Sequence, residues 1–205
     1  TASADGFTIA TAGSGAIIGS IGDDSITSAG VGATGALSGL AGADTIVNTS
    51  GAATITGGTG QDAMTGGTGL DTYQFAAGDS ISTAADTITT YVGGTDLISH
   101  TATITIVTQS IATSAIRASI AADGLATMHG GASTLALQVV AAEAAIATGT
   151  AAAGQATVWT DSTDSFIFIS DGVDGVTAAD VVIKVIGVVA DEMQIATGNI
   201  DDLNA

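Results

Sequence analysis

The sequence predicts a mainly all-β protein in which a parallel β-solenoid of nine-residue turns continues into a β-rich C-terminal domain with one or two short Ala-rich helices. Three observations support this prediction. A nine-residue phrase repeats through the first part of the chain, one position of the phrase is always apolar, and the second half carries short apolar runs that are typical of strands. A fixed apolar position at a constant period indicates that each copy is one turn whose large side chain points into a shared interior.

The repeat is clearest in "GGTGQDAMT" and "GGTGLDTYQ", which begin at residues 57 and 66. Stepping backward gives "NTSGAATIT" at 48, "GLAGADTIV" at 39 and "GVGATGALS" at 30, and a two-residue slip then leads to "GSIGDDSIT" at 19 and "ATAGSGAII" at 10. The eighth positions of these copies are all apolar: Ile17, Ile26, Leu37, Ile46, Ile55, Met64 and Tyr73. Each copy therefore predicts a short strand around that position and a tight Gly-rich bend whose carbonyl oxygens can point at one spot.

The charge of the chain is strongly one-sided. The chain has twenty acidic residues, eighteen of them Asp, and only two basic residues, Arg117 and Lys184, so its net charge is -18. Nucleic acid and anionic membrane surfaces are excluded as partners because binding to phosphate depends on Lys and Arg. Short carboxylates suit turns and sites for hard cations, so a divalent cation is the predicted partner. The apolar content of 46% excludes a disordered acidic tail.

The pattern G-G-x-G-x-D-x-U-x resembles the repeat of hemolysin-type calcium-binding (RTX) proteins. The resemblance implies a parallel β-roll in which successive turns bend at alternate edges, so that Ca²⁺ is held between copy n and copy n+2. The ligands that it implies are five carboxylates, Asp24, Asp44, Asp62, Asp71 and Asp86, and backbone carbonyls at Gly39, Gly57, Thr59, Gly66 and Thr68. The alternative is a Gly-rich solenoid without metal, which has to explain stacked carboxylates that repel one another.

The predicted ligands are not equally well paired. Asp44 and Asp62 lie 18 residues apart and are expected to face each other along one edge. On the other edge Asp71 meets Ala53, so that site lacks one carboxylate, and Asp71 can instead share an ion with the Asp-rich segment that follows. The partner of Asp24 stays open, because the two-residue slip follows its copy.

The chain is predicted to divide into a roll with its closing segment at 1–99 and a β-rich domain at 100–205. In the second part we expect strands in "TATITIV", "TVWT", "SFIFIS" and "VVIKVIGV", the last three buried on both faces. "SIATSAIRASIAADG" predicts a short helix that ends at Gly124, and a second helix is expected from Ser133 to about Thr148, although its β-branched residues leave a strand possible.

No catalytic motif is present, and the protein is predicted not to be an enzyme. The two histidines stand outside any HExxH spacing, and the sequence has neither a GxSxG elbow nor a GxxxxGK[ST] loop. Trp159 with Phe166 and Phe168 could form a platform for a sugar, but aromatic residues in paired strands are more often core. No apolar run approaches the ~18 residues of a membrane helix.

The segment "SFIFISDGVDGVTAADVVIKVIGV" resembles C-terminal regions of RTX-type surface-layer proteins and of other type I secreted proteins. The resemblance implies a calcium-dependent structural protein that self-associates at the bacterial cell surface, with outer-membrane polysaccharide bound through a part of the protein before Thr1. The tail "DEMQIATGNIDDLNA" reads either as a type I secretion signal or as a final strand. The alternative function is the secretion and folding module of a secreted RTX hydrolase or toxin.

Overall fold

The computed structural model describes residues 6–11, 15–29, 35–107, 110–111, 117–129, 132–146, 152–191 and 193–203. This part of the chain forms a parallel β-roll that continues into antiparallel strands, together with a single helix. Strands of the roll alternate between two facing sheets, so the turns that join them lie at two opposite edges. The predicted fold class is confirmed.

Each sheet stacks alternate turns of the roll. The larger sheet has nine strands in this order: β1 (Thr8–Thr11), β3 (Ser25–Ser28), β5 (Thr45–Asn48), β7 (Ala63–Thr65), β9 (Asp86–Thr89), β17 (Val181–Val185), β16 (Ser165–Ile169), β15 (Gln155–Thr160) and β11 (Thr105–Ile106). The facing sheet has seven strands in this order: β18 (Gln194–Ala196), β19 (Asn199–Asp202), β10 (Leu97–His100), β8 (Thr72–Phe75), β6 (Ala53–Thr59), β4 (Gly35–Ala41) and β2 (Ile17–Ile18). A third, antiparallel sheet contains β12 (Ser110–Ile111), β13 (Arg117–Ile120) and β14 (Ala126–His129).

The interior of the roll is built from the apolar eighth positions. Ile46 pairs in register with Ile26 on one side and Met64 on the other, and Ile55 pairs with Tyr73 in the facing sheet. All seven predicted eighth-position side chains are at most 7% exposed. Burial of each such side chain stabilises the fold by roughly 1.5–3 kcal/mol, so the repeat encodes the core directly.

The C-terminal strands extend the larger sheet of the roll. β17 pairs in parallel with β9, and β16 and β15 then add in antiparallel fashion. Every residue of β16 is buried, because Ile167 faces the interior of the roll while Phe166 and Phe168 face a second apolar cluster under the helix. The expected burial on both faces is therefore observed. The domain boundary near residue 100 stays a prediction, since the larger sheet contains strands from both sides of it.

The helix α1 spans Leu135–Ile146, inside the range that the sequence predicts. The Thr134 hydroxyl accepts a hydrogen bond from the backbone N–H of Leu137 at 3.4 Å, in the manner of a helix N-cap. On the inner face Trp159 Nε1 donates to Gln138 Oε1 at 3.0 Å, which ties the helix to β15. The predicted stop at Gly149 lies outside the described residues.

The helix predicted over 110–124 is wrong for the described residues 110–111 and 117–124, and 112–116 lie outside the described part of the chain. β13 and β14 form a hairpin instead, and Gly124 takes a φ of +81° within its turn. Ala118 and Ile120 are buried whereas Ser119 between them is half-buried, which is the period of a strand. "TATITIV" is also less regular than expected, since only β11 within it is a strand. Ala-rich segments with few large residues have too little hydrophobic periodicity to distinguish a helix from a strand.

The last part of the chain forms a strand pair. β18 and β19 are antiparallel, and β19 adds to β10 at the edge of the seven-stranded sheet. Ile200 and Leu203 are buried there, so the tail packs against the core of the roll. Of the two interpretations of this tail, the final strand is the one observed, and export stays a prediction. Within the described residues, no helix is long and apolar enough to cross a membrane.

One buried carboxylate on α1 gives a testable prediction. Glu143 is 2% exposed, and neither of its carboxylate oxygens has a hydrogen-bond partner of ordinary geometry among the described residues. Burial first, and the nearby carboxylate of Asp180 second, raise the pKa of Glu143 to about 7. The ionised form is thus disfavoured in the folded state, and stability falls as the pH rises from about 4 through 7.

Glu143→Gln is therefore expected to raise the Tm at pH 8 by a few degrees and to change it little at pH 5, where the parent carboxyl is protonated. Thermal unfolding followed by circular dichroism at the two pH values checks this result. An equal change at both pH values would show that packing, and not charge, controls the site.

Candidate cation site at one edge of the roll

Four aspartates stack in a column along one edge of the roll, which we call the first edge: Asp24, Asp44, Asp62 and Asp86. Asp24, Asp44 and Asp62 directly precede β3, β5 and β7, Asp86 is the first residue of β9, and each of the four is at most 3% exposed. The Oδ1 atom of each later aspartate accepts a hydrogen bond from the backbone N–H of the one before it, at 2.7 to 2.8 Å. The alternation of sheets thus places Asp44 and Asp62 on neighbouring turns of the same edge, as the sequence predicts.

The second carboxylate oxygen, Oδ2, distinguishes three aspartates of this column from Asp24. Oδ2 of Asp44, of Asp62 and of Asp86 is buried and has no hydrogen-bond partner among the described residues. A buried charged oxygen without a partner costs several kcal/mol unless a proton or a cation compensates it. Three such atoms on successive turns point to a missing positive charge.

Glycine at the first position of the copies at 39 and 57 leaves room beside the Oδ2 atoms of Asp44 and Asp62. A Cβ built on Gly39 would collide with Asp44 Oδ2 and lie 2.7 Å from the carbonyl oxygen of Gly57. A Cβ on Gly57 would collide with Asp62 Oδ2 in the same way. The cradle at Gly39 therefore brings the Asp44 carboxylate close to the backbone carbonyl oxygen of Gly57 on the next turn, and such oxygens are the ligands that Ca²⁺ prefers.

Gly39→Ala is expected to weaken cation binding and to destabilise the roll by roughly 1–3 kcal/mol, the usual cost of overpacking. The φ of Gly39 lies outside the left-handed region, so the effect comes from the added methyl group alone. Gly15→Ala is the matched control, because a Cβ at Gly15 meets nothing within 4 Å. Chemical denaturation of both variants measures the difference. Equal stability of the two would mean that the cradle tolerates a side chain.

The electrostatics of the first edge also favour a bound cation. Burial raises the pKa of Asp44, raises that of Asp62 to about 7 and raises that of Asp86 to about 8. Hydrogen bonds from the preceding turn oppose these shifts, and the charges of neighbouring aspartates add to them. Burial thus disfavours the ionised forms of these carboxylates unless a cation compensates them.

Two of the predicted first-edge ligands are already engaged by protein donors. Asp24 Oδ2 accepts the Ser20 backbone N–H at 2.6 Å, and its Oδ1 accepts the Phe7 N–H at 2.8 Å. The Thr59 carbonyl oxygen accepts the Gly42 N–H at 3.0 Å, so it belongs to the ladder between turns. The open part of the column is thus Asp44, Asp62 and Asp86.

At the opposite edge, which we call the second edge, Asp71 is buried and stacks on Asp96, whose Oδ1 accepts the Asp71 N–H at 3.0 Å. The structure therefore places Asp86 on the first edge and Asp96, not Asp86, next to Asp71. The backbone of Gly66 is occupied, since its N–H donates to the Tyr73 hydroxyl at 2.8 Å and its carbonyl accepts the Thr90 hydroxyl. Thr68, also expected to supply a carbonyl ligand, is exposed.

Side chains alone do not form a metal centre here. In the described part of the chain, no three His, Cys, Asp or Glu side chains gather around one point. A cation at the first edge would have to draw much of its oxygen shell from backbone carbonyls, which a roll of Gly-rich turns can supply. The residues present fit a hard divalent cation held by Asp44 and Asp62 with the Gly57 carbonyl.

The aromatic and imidazole groups considered from the sequence have structural positions. Trp159 stacks on Phe166 at a centroid distance of 5.7 Å, and both are buried, so they belong to the core and offer no sugar platform. His100 Nδ1 accepts the Ala102 N–H at 3.1 Å, and burial lowers the pKa of this histidine. The side chain of His129 lies outside the described residues. That the protein is not an enzyme stays a prediction.

Comparisons with known proteins give a narrow result. The sequence matches no protein-family model and no curated protein. Among solved structures, the chain is similar to the AlgE6R3 subunit of the mannuronan C5-epimerase from Azotobacter vinelandii, with 19% identity, coverage of 90% of this chain and 73% of that chain, and a TM-score of 0.34. The similarity is too low to say anything about function. The assignment as a β-roll depends on the strand pairing described above.

Proposed function

We propose that this protein binds Ca²⁺ between turns of its β-roll, and that bound calcium drives its folding and its assembly in an extracellular surface layer. Calcium binding is supported by the row of buried, unpartnered Oδ2 atoms of Asp44, Asp62 and Asp86, with a glycine cradle beside the first two. Ca²⁺ would neutralise these carboxylates, whose ionised forms burial disfavours.

The charge balance supports a role for calcium beyond one site. Against the net charge of -18, the described residues contain a single ion pair, between Lys184 Nζ and Asp164 Oδ2 at 2.8 Å. A chain of this charge repels its own copies in solution. Divalent cations between copies would remove that repulsion, and this is the reason to expect assembly to depend on calcium.

The structural role draws on the Thr-, Ala- and Gly-rich composition, the lack of a catalytic motif and the resemblance to RTX-type surface-layer proteins. Large apolar side chains are also exposed on the roll, at Ile18, Leu40 and Leu70 among others, and exposed apolar groups favour association. Type I secretion, which would bring the chain to calcium only outside the cell, belongs to the same proposal.

Light scattering and circular dichroism of the full chain, with millimolar Ca²⁺ and then with chelator, test this function. We expect calcium to increase β-structure and to produce large assemblies that chelator dissolves. Folding without assembly would reject the surface-layer role in favour of the secretion and folding module of an RTX hydrolase or toxin. No response to calcium in either measurement would reject both.

A further inference from the structure

The second edge of the roll is built differently from the first, and the difference lies in one copy of the repeat. The copy at 48 carries Asn48 at its first position, where the copies at 39 and 57 carry Gly39 and Gly57. The same copy carries Ala53 at its sixth position, where the other two carry aspartate. This copy therefore has an amide side chain at its first position and no carboxylate at its sixth.

Asn48 bridges two oxygen atoms. Its side chain is 1% exposed, and Nδ2 donates to the Gly51 carbonyl oxygen at 2.7 Å and to Asp71 Oδ1 at 2.9 Å. At the equivalent position of the first edge, nine residues earlier, Gly39 has no side chain and leaves a cradle. The amide thus lies between a carbonyl and a carboxylate, the two kinds of oxygen that a calcium ion would join.

Both carboxylate oxygens of Asp71 accept hydrogen bonds from protein donors. Oδ1 accepts the Ala53 N–H at 2.8 Å as well as the Asn48 amide, and Oδ2 accepts the Gly67 N–H at 3.1 Å. Three N–H groups present their positive ends to this carboxylate. A cation at Asp71 would compete with these three N–H groups, and Ala53 on the preceding turn of this edge offers no second carboxylate. The Asp96 carboxylate on the following turn is itself engaged by the N–H groups of Asp71 and Val92.

We propose that the Asn48 amide takes the place of a cation at the second edge, so that this edge folds without calcium and calcium is confined to the edge of Asp44, Asp62 and Asp86. This inference rests on the proposed calcium binding at the first edge. It makes the roll asymmetric, with one edge closed by protein hydrogen bonds and the other closed by metal. Asn48 is then the residue that decides which edge binds.

The number of calcium ions bound by the full chain tests the inference. Asp71→Asn and Asp62→Asn remove the same charge from opposite edges and are a matched pair. Isothermal titration of each folded variant with CaCl₂ is expected to give the parent stoichiometry for Asp71→Asn and a lower one for Asp62→Asn. A lower stoichiometry for Asp71→Asn would overturn the proposal.

A gain of binding is the converse test. The double variant Asn48→Gly with Ala53→Asp restores glycine and aspartate to the copy at 48, and it is expected to bind one more ion than the parent. An unchanged stoichiometry in the folded double variant would overturn the proposal. If either Asp71→Asn or the double variant fails to fold even with calcium, the stoichiometry of the other one tests the proposal.

The parent chain separates this inference from the proposed function. A parent that binds no calcium rejects the function itself, and the inference with it. A parent that binds calcium, with ions lost in Asp71→Asn, keeps the function and rejects only the role of Asn48.

Discussion

Asp62→Asn abolishes most of the stabilisation that calcium provides, and at pH 8 without calcium the variant is at least as stable as the parent. Asparagine retains an oxygen that can accept the Asp44 N–H, a hydrogen bond of 2.8 Å in the parent. It removes a carboxylate whose pKa burial raises to about 7, so the calcium-free fold no longer has to hold that charge. Loss of the ligand should lower calcium affinity at least about tenfold, equivalent to 1.4 kcal/mol.

Thermal unfolding with and without calcium, together with calorimetric titration, measures both halves of this prediction. Asp161→Asn is the control, because Asp161 is exposed and its Oδ1 accepts hydrogen bonds from Thr163 and Asp164 within one turn. The control should bind calcium like the parent. Parent-like affinity in Asp62→Asn would remove Asp62 from the site.

The second large effect is a change in the pH dependence of stability. In chelator, the free energy of unfolding is expected to fall as the pH rises from about 4 to 8, because the pKa values of Asp62 and Asp86 rise on folding to about 7 and about 8. The folded state then binds more protons than the unfolded state across this range, so raising the pH favours unfolding. In saturating calcium the metal replaces those protons, and the fall should disappear or reverse.

Denaturant titrations at pH 5, 6.5 and 8, with chelator and with calcium, check this prediction. Stability in chelator that rises with pH would contradict it, because this would mean that the stacked aspartates are better solvated ionised than protonated. The comparison uses the parent protein throughout, so it does not depend on the folding of a variant.

The core of the roll could be predicted because the repeat encodes it residue by residue. Each eighth position is buried, and a period of nine with two sheets forces copies 18 residues apart to pair, as Ile46 and Met64 do. The column of Asp44 and Asp62 follows from the same arithmetic. The buried positions follow from the period of nine, and the pairing of copies 18 residues apart follows from the alternating edges that the resemblance to RTX repeats implies.

The difference between the two edges could not be predicted in this way. Whether an aspartate is open or saturated depends on donors outside the sixth position, such as the Ser20 backbone N–H at Asp24 and the Asn48 amide at Asp71. Their directions come from the three-dimensional path of each turn. Ala53 indicated that the second edge lacks one carboxylate, and the further signal was Asn48, a side chain at a position where the best copies carry glycine.

In the C-terminal part, β15, β16 and β17 were predictable from their apolar runs, whereas the hairpin of β13 and β14 was not. Its inward residues, Ala118 and Ile120, include a small one, so the alternation has little contrast. The hairpin is decided by its packing against α1, which is a tertiary contact.

The most direct test of the central claim is a crystal structure of the full chain grown in calcium, with anomalous diffraction used to locate the ions. We expect ions at the first edge, at about 2.3–2.6 Å from Oδ2 of Asp44 and Asp62, and no ion at Asp71. Anomalous peaks beside Asp71, or none along the column of Asp44, Asp62 and Asp86, would contradict it.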